Sequence, residues 1–535
     1  MAMLDWFKSR LGNPERRRRT LLQRADDAYE RGASDEARQC CVEVLRMAPN
    51  DLAALSLLAA IAADAKQIEE GLRWAQRAIA ADAQAVSPHY AMGRLQEAAG
   101  RLAEAEASYR MVVSLDPSHA RAHNNLGCVL HMQGKLDAAL ACYRRALEID
   151  PALPEANQNY ASIVRDVGAQ ELAVQGYVRQ TAANPNDAAA WCNLGNTCAE
   201  LGRHDQALAS FERALAVNPE FAEAHFSRSL VLLLRGDYAR GWKEYEWRWR
   251  IHAFNAPARR FPQPVWDGSR IDGETVLIHA EQGFGDTLQF VRYAPLVAQR
   301  CASVIIECPP ELKSLLQGVA GAERVVARGE ALPPFAAHVP LMSLPGIFGT
   351  TLDSIPWSGP YIHADPKRAA QWRADVDAVA AGRFKVGLVW AGNPRQWNDR
   401  NRSATLAALA PLAGNRGTVF FSLQIGKAAE QAGAPPAGMT LVDFAARIRD
   451  FSDSAALLSH LDLVISVDTA TAHLAAAMGV PTWVLLAQAA DWRYHLGRDD
   501  NPWYPTMRLF RQEREGDWTA PVERLAQALR QRIEE

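Results

Sequence analysis

Apolar and polar positions follow two different periods along the chain. From residue 18 to 251 small, aromatic and proline positions recur at an interval of 34. Pro49, Pro117, Pro151, Pro185 and Pro219 are spaced by multiples of 34, with Ala83 in the missing slot. Gly32, Gly100, Gly134, Gly168, Gly202 and Gly236 keep the interval, with Lys66 in the gap. So do Ala25, Ala59, Gly93, Gly127, Ala161, Gly195 and Ser229, and an aromatic register at Tyr109, Tyr143, Tyr177, Phe211 and Tyr245. Registers in phase predict about seven helix–turn–helix repeats. Small residues let paired helices approach, and glycine breaks the chain between them. The aromatic fills the gap to the next repeat, and proline stops the second helix.

Beyond residue 272 the pattern becomes short continuous apolar runs: 275–279, 304–307, 324–327, 385–390, 418–423, 463–467 and 482–486. Their length and β-branched content predict buried parallel strands. Helices are expected between them, at 309–316, 406–412, 455–460 and 470–478, with a terminal helix at 523–532. Residues 338–341 and 348–351 read as loop and short elements. A break around 365–382 divides this half into two lobes, whose strand ends would face a cleft. The expected segments are a basic lead-in 1–17, repeats 18–251, a linker 252–272, a first lobe 273–365, a second lobe 366–515 and a terminal stretch 516–535. The fold class is therefore an α-helical superhelix followed by an α/β domain of two Rossmann-like lobes.

Composition narrows the function classes. The chain of 535 residues is 49% hydrophobic and 22% charged with net charge −3, which does not suit a nucleic-acid partner. No apolar run approaches the roughly 18–20 residues needed for a transmembrane segment. The N-terminus lacks the apolar core of a secretory signal. Its basic run, Arg16–Arg19, reads either as a solvated helix or as the end of an amphipathic helix touching an anionic membrane. Eight scattered cysteines without CxxC pairs suggest reduced thiols and a cytoplasmic location.

Three stretches carry candidate chemistry. After the run 463–467, Asp468 and Thr469 lead into a helix of small residues. The backbone N–H groups of Thr469, Ala470 and Thr471 would meet a phosphate there, with side-chain hydrogen bonds from Asp468, Thr469 and His473. The same Asp-Thr pair is also an ordinary helix cap. After 275–279 the turn EQGFGD uses Gly283 and Gly285 to turn tightly and approach a ligand. Asp286 then reads either as a base facing the cleft or as a helix cap. After 385–390 a loop carries Arg395, Arg400 and Arg402, whose guanidinium forks suit a diphosphate; a solvated loop is the alternative. Lys427 reads as solvated, as does the pair Asp499-Asp500. Asp491-Trp492 reads either as a cap over a ligand or as packing. Trp242, Trp247 and Trp249 are too crowded for one repeat and are expected to pack onto the next domain. Trp266 reads as the linker's anchor, or as a stacking platform. No Asp-x-Asp motif suited to a divalent metal lies near these turns, which agrees with an expectation of neither metal nor cofactor.

The 34-residue registers resemble the tetratricopeptide repeat family. Asn125, Asn159 and Asn193 recur at the same interval of 34. Protein O-GlcNAc transferases, which the architecture resembles, carry such an asparagine ladder for a peptide backbone; a tolerated polar register is the alternative reading. The pair LIHAEQGFGDTLQFVRY and VDTATAHLAAAMGVP resembles the heptosyltransferase-related glycosyltransferases of the GT-B fold, glycosyltransferase family 9. The resemblance implies metal-free, inverting transfer from a nucleotide-diphosphate sugar. It implies Asp286 as base, Asp468, Thr469, Ala470 and His473 holding the donor, and Arg400 or Arg402 neutralising the leaving phosphate. The first lobe would be the acceptor side, the second the nucleotide-sugar side, and a protein or peptide acceptor would lie in the repeat groove. Heptosyltransferases often carry lysine in the arginine loop and Thr-Gly after the aspartate, where this chain has arginines and Thr469-Ala470. A non-catalytic scaffold and a nucleotide-sugar epimerase are the rival readings.

Overall fold

The computed structural model describes residues 14–151, 153–166, 170–251, 261–394, 399–415 and 417–534, with the side chains of 161, 164–166, 170 and 400 outside the description. Most of the lead-in, Gly168, much of the linker, Arg395 and the side chain of Arg400 therefore lie outside the described residues. Contacts divide the chain into two compact units, Met1–Thr197 and Cys198–Glu535.

In the first unit helices pair in sequence order: α1 and α2 (Pro14–Glu30, Ser34–Met47), α3 and α4 (Leu52–Asp64, Ile68–Ala81), α5 and α6 (Val86–Ala98, Leu102–Leu115), α7 and α8 (Ala120–Met132, Leu136–Ile149), α9 and α10 (Pro154–Asp166, Gln170–Ala183); α11 (Ala188–Glu200) and α12 (His204–Val217) follow in sequence, and α13 and α14 (Ala222–Leu234, Tyr238–Tyr245) pair in the second unit. The glycine register marks the joint inside a pair. Gly32, Gly100, Gly134, Gly202 and Gly236 have φ between +71° and +83°, and Lys66 holds the same left-handed conformation at +54°. A side chain there is strained, which is why glycine recurs. The aromatic register also packs within its own pair. A Cβ on Gly93 would lie 2.7 Å from the ring of Tyr109, and one on Gly127 would lie 2.6 Å from Tyr143. Each ring thus covers the small residue of its own pair, and the Tyr109 hydroxyl also meets Asn125 of the next.

In the second unit, two parallel sheets follow the last pair. The first takes β1 (Ile271–His279), β2 (Cys301–Cys308), β3 (Arg324–Ala327) and β4 (Ala337–Pro340) in the order β3-β2-β1-β4. The second takes β5 (Phe384–Val389), β6 (Thr418–Ser422), β7 (Leu441–Asp443), β8 (Leu463–Val467), β9 (Thr482–Leu486) and β10 (Met507–Arg511) in the order β10-β9-β8-β5-β6-β7. Strands β8 and β9 are buried at every position, as the continuous apolar runs require.

Five segments, 337–340, 366–380, 407–414, β7 and β10, differ from or add to the expected elements. Residues 337–340 form a strand beside β1 rather than a loop. The break around 365–382 lies between the two sheets and holds a helix, Pro366–Ala380, capped by Asp365 and ended by left-handed Ala381. Residues 407–414 form a 3-10 helix around Pro411, whose ring and missing N–H oppose a regular helix. Strands β7 and β10 give no apolar run, because β7 is three residues long and β10 carries Arg508 and Arg511.

The core of the second unit runs without interruption from Leu233, Tyr238, Trp242 and Tyr245 into both sheets. Trp242 lies edge-on to Phe290, Trp492 and Trp503, and its Nε1 donates to the carbonyl of Thr350 at 3.2 Å. Trp247 instead stacks on His225 with centroids 3.8 Å apart. Of these two tryptophans, Trp242 seats the last pair on the lobes and Trp247 stays with the pair. Trp266 is 2% exposed and donates to Ser269, so it is an anchor and not a stacking platform. Among the described residues no helix is long and apolar enough to cross a membrane.

Candidate functional site

A cleft of about 1640 Å³ opens where β1 and β8 end. Its first wall comes from the turn after β1. Helix α15 (Phe284–Phe290) follows, with Gly283 as its cap residue and Asp286 in its first turn. Oδ2 of Asp286 accepts the Gly283 N–H at 2.8 Å, and the same side chain lines the cleft. Capping and cleft exposure therefore coexist in one carboxylate. The glycines act otherwise than expected. Gly283 has φ −72° and Gly285 is not among the left-handed glycines. A Cβ on Gly285 would sit 3.0 Å from Cδ2 of His473, so glycine there permits the close approach of the two lobes.

The second wall is the turn after β8. Thr469 caps the next labelled helix, α16 (Ala470–Ala477), its Oγ1 accepting the Ala472 N–H at 3.5 Å and sharing a hydrogen bond with Ser466. Ala470 and Thr471 begin that helix at the cleft surface, where its positive end faces any anion. The Tyr494 hydroxyl donates to Oδ1 of Asp468 at 2.7 Å. Burial, reinforced by the charge of Asp491, holds the Asp468 carboxyl above the usual carboxylate range.

His473 lies between the two walls. Its Nδ1 meets the Tyr504 hydroxyl at 3.2 Å, and its Nε2 stands 4.0 Å from Asp468. Burial, then the neighbouring Arg493 charge, pushes the imidazole down to about 4. His473 is thus a neutral hydrogen-bonding group near neutrality. An NMR titration is expected to leave its ring-proton shift unchanged from pH 8 to 5.5, where an ordinary histidine titrates; a midpoint near 6.5 would overturn this assignment.

The arginine loop folds back on its strand. Oγ of Ser403 accepts the Gly392 N–H at 2.9 Å, and a Cβ on Gly392 would lie 2.6 Å from Nη2 of Arg402. Arg402 pairs with Asp399 at 3.3 Å and lines the cleft. The side chain of Arg400, the other candidate, is outside the described residues. Lys427 is exposed but lies along the cleft wall, with Arg328 and Arg449 also on the lining. Asp491 lines the cleft while Trp492 is buried at 4% exposure, so that pair divides between the two readings made of it. Asp499 and Asp500 are exposed, as expected of a solvated pair, and Asp500 also meets Arg498 at 2.6 Å.

The asparagine register, in the first unit, is partly engaged already. Nδ2 of Asn125 donates to the hydroxyls of Tyr90 and Tyr109 at 3.2 and 3.4 Å. Nδ2 of Asn159 donates to Asn124 at 2.9 Å and to Cys128 at 3.2 Å. These amide donors tie neighbouring helices together. The backbone carbonyl of Asn193 accepts from Thr197.

Arg493, one residue beyond the Asp491-Trp492 pair, is a further member of the site. This side chain, 8% exposed, donates to Asp286 from Nη2, to Asp491 from Nη1 at 2.8 Å and to Gln289 from Nε at 2.8 Å. Its available signal was its place two residues after Asp491, behind an apolar run. Gln289, Tyr494 and Tyr504 gave none, since each acts through a partner distant in sequence.

Tetratricopeptide repeat models match residues 22–86, 90–154 and 188–221. The model of glycosyltransferase family 9 (heptosyltransferase) matches residues 400–504. The chain carries tetratricopeptide repeats and a glycosyltransferase family 9 domain. The match to family 9 takes in Arg402 and the turn 468–473, while Asp286 lies outside it. The chain is similar to Protein FlbA of Caulobacter vibrioides (strain ATCC 19089 / CIP 103742 / CB 15), 28% identical over 58% of this chain and 55% of that protein. It thus spans about half the length of that curated relative. Among solved structures it is similar to pilF of Pseudomonas aeruginosa, with a TM-score of 0.36 and 17% identity over 39% of this chain and 96% of that one. It is also similar to YrrB, a TPR protein, with a TM-score of 0.31 and 20% identity over 36% and 98%.

Proposed function

We propose that the family 9 domain transfers a sugar from a nucleotide-diphosphate sugar to an acceptor hydroxyl, with inversion and without a metal, and that the repeats present a protein or peptide acceptor. One observation carries this reading. Strand-end turns from two separate sheets meet at one cleft, Asp286 on one side and 468–473 on the other, close enough that Gly285 abuts His473. Ligands bind at the carboxyl ends of such strands.

In this reading the donor diphosphate lies at the start of α16, with Arg402 and Lys427 within the same cleft. The acceptor hydroxyl approaches from the first lobe and gives its proton to the Asp286 carboxylate. A bond forms from that oxygen to the anomeric carbon as the bond to the phosphate oxygen breaks. The electron pair leaves on the nucleoside diphosphate, whose charge the helix end and Arg402 offset. Attack from the face opposite the leaving group inverts the anomeric centre. Asp468 and neutral His473 offer hydrogen bonds to the sugar. The acceptor assignment rests on the repeats.

The test is to incubate the purified chain with a panel of nucleotide sugars and follow released nucleoside diphosphate, with and without cell lysate. Release that rises with the protein fraction of the lysate is the expected result. Isomerised sugar without release would make the chain an epimerase. Neither release nor a donor-induced thermal shift would leave it a scaffold.

A further inference from the structure

We infer that Arg493 is a positioning residue for the proposed transfer, the group that holds the Asp286 carboxylate in place against the donor wall. The inference rests on the glycosyltransferase reading and adds a residue to it that the turn motifs do not contain.

The geometry is that of a fork set across one turn of a helix. Asp286 and Gln289 are three residues apart on α15 and share a face. Arg493 reaches both from the opposite lobe, taking Asp286 with Nη2 and Gln289 with Nε. Its third nitrogen is held by Asp491, which also accepts the Arg493 backbone N–H at 3.0 Å. The guanidinium lies over the rings of Trp492 and Phe290, 4.4 and 5.6 Å from their centroids. A planar guanidinium with each nitrogen engaged has one orientation, and that orientation dictates where Oδ1 of Asp286 stands. The Gly283 N–H places Oδ2. Each oxygen accepts one hydrogen bond and keeps a second lone pair for an acceptor hydroxyl.

Charge supports the same role. Asp286, Asp468 and Asp491 all line the cleft. Arg493 bonds directly to two of these carboxylates, 286 and 491. Without it, like charges would push the Asp286 side chain away from the second lobe.

Three variants test this: Arg493→Gln, Asp286→Asn and the double variant, assayed by nucleoside diphosphate release and by donor-induced thermal shift. Arg493→Gln is expected to lower kcat about 10–100-fold, the usual cost of removing a group that orients a reacting residue, with the donor thermal shift retained. Arg493→Lys is expected to recover part of that loss by restoring the charge without the fork. Because Arg493 acts through Asp286, the double variant is expected to fall no further than Asp286→Asn alone, within about threefold, whereas independent losses would multiply. Arg493→Gln turning over within threefold of the unmodified chain would overturn the assignment. So would multiplicative losses, or a loss of the donor shift equal to the loss of rate, which marks a merely structural residue. If the unmodified chain releases no nucleotide from any donor, the transferase reading itself fails, and this role with it.

Discussion

Asp286→Asn is expected to reduce nucleoside diphosphate release by about 10²–10⁴, the range lost with a general base, while the donor still raises the melting temperature. The substitution is not sterically demanding, yet it is not silent in the ground state. Both carboxylate oxygens face donors, Oδ1 the Arg493 guanidinium and Oδ2 the Gly283 N–H. An amide offers an acceptor at only one of these positions. Either flip of the asparagine sets its NH2 against another donor. A stability loss of about 1 kcal/mol is expected from the damaged cap, which a denaturant midpoint measures separately from rate. Turnover within threefold of the unmodified chain would show that Asp286 is not the base.

The second large effect is expected at Arg248, just after the last repeat helix, Tyr238–Tyr245. Its side chain is 1% exposed. It donates to Glu281 at 2.9 Å and to Ser343 at 2.9 Å from Nη2, and to Glu246 at 2.7 Å from Nη1. Glu281 begins the stretch that leads to Asp286, and the next residue, Gln282, donates to the Tyr245 hydroxyl at 2.9 Å. The repeat end therefore holds the turn from behind. Burial pushes the Glu281 carboxyl from 4.5 up to about 7, with Arg248 opposing that rise. Between those pH values the folded chain holds a proton that the unfolded chain has released. The stability this group contributes is complete below about 4.5 and lost as pH rises through about 7, by roughly 3 kcal/mol in all. Arg248→Met removes the opposing charge, so the loss is expected to continue above pH 7. Destabilisation of about 3–5 kcal/mol is expected at pH 8, as for other broken buried pairs, and a smaller one at pH 5.5. Urea midpoints of both proteins at the two pH values measure this. Equal destabilisation at both would show that Glu281 does not sense Arg248.

Much of the fold was legible because its signals are local. The 34-residue glycine register reports a left-handed joint that each helix pair needs on its own account, and Lys66 shows that the joint persists where glycine is absent. Strands β8 and β9 were legible because a parallel strand covered on both faces must be apolar throughout. Strand β10 was not, since Arg508 and Arg511 interrupt its apolar run at the edge of the sheet. The aromatic register was visible as a period, but its partner was not. Nothing in the spacing says whether Tyr109 packs on its own pair or the next.

By itself the sequence determined the repeats, the parallel strands and the two aspartate turns, because period and apolar run length encode which side of each element is buried. Only the tertiary structure decided that Gly285 leaves room for His473, that Arg493 reaches Asp286, and that Arg248 backs Glu281. These partners stand 188, 207 and 33 residues apart. Their meeting depends on how whole elements dock, and side-chain chemistry at one position carries no record of the position it will face.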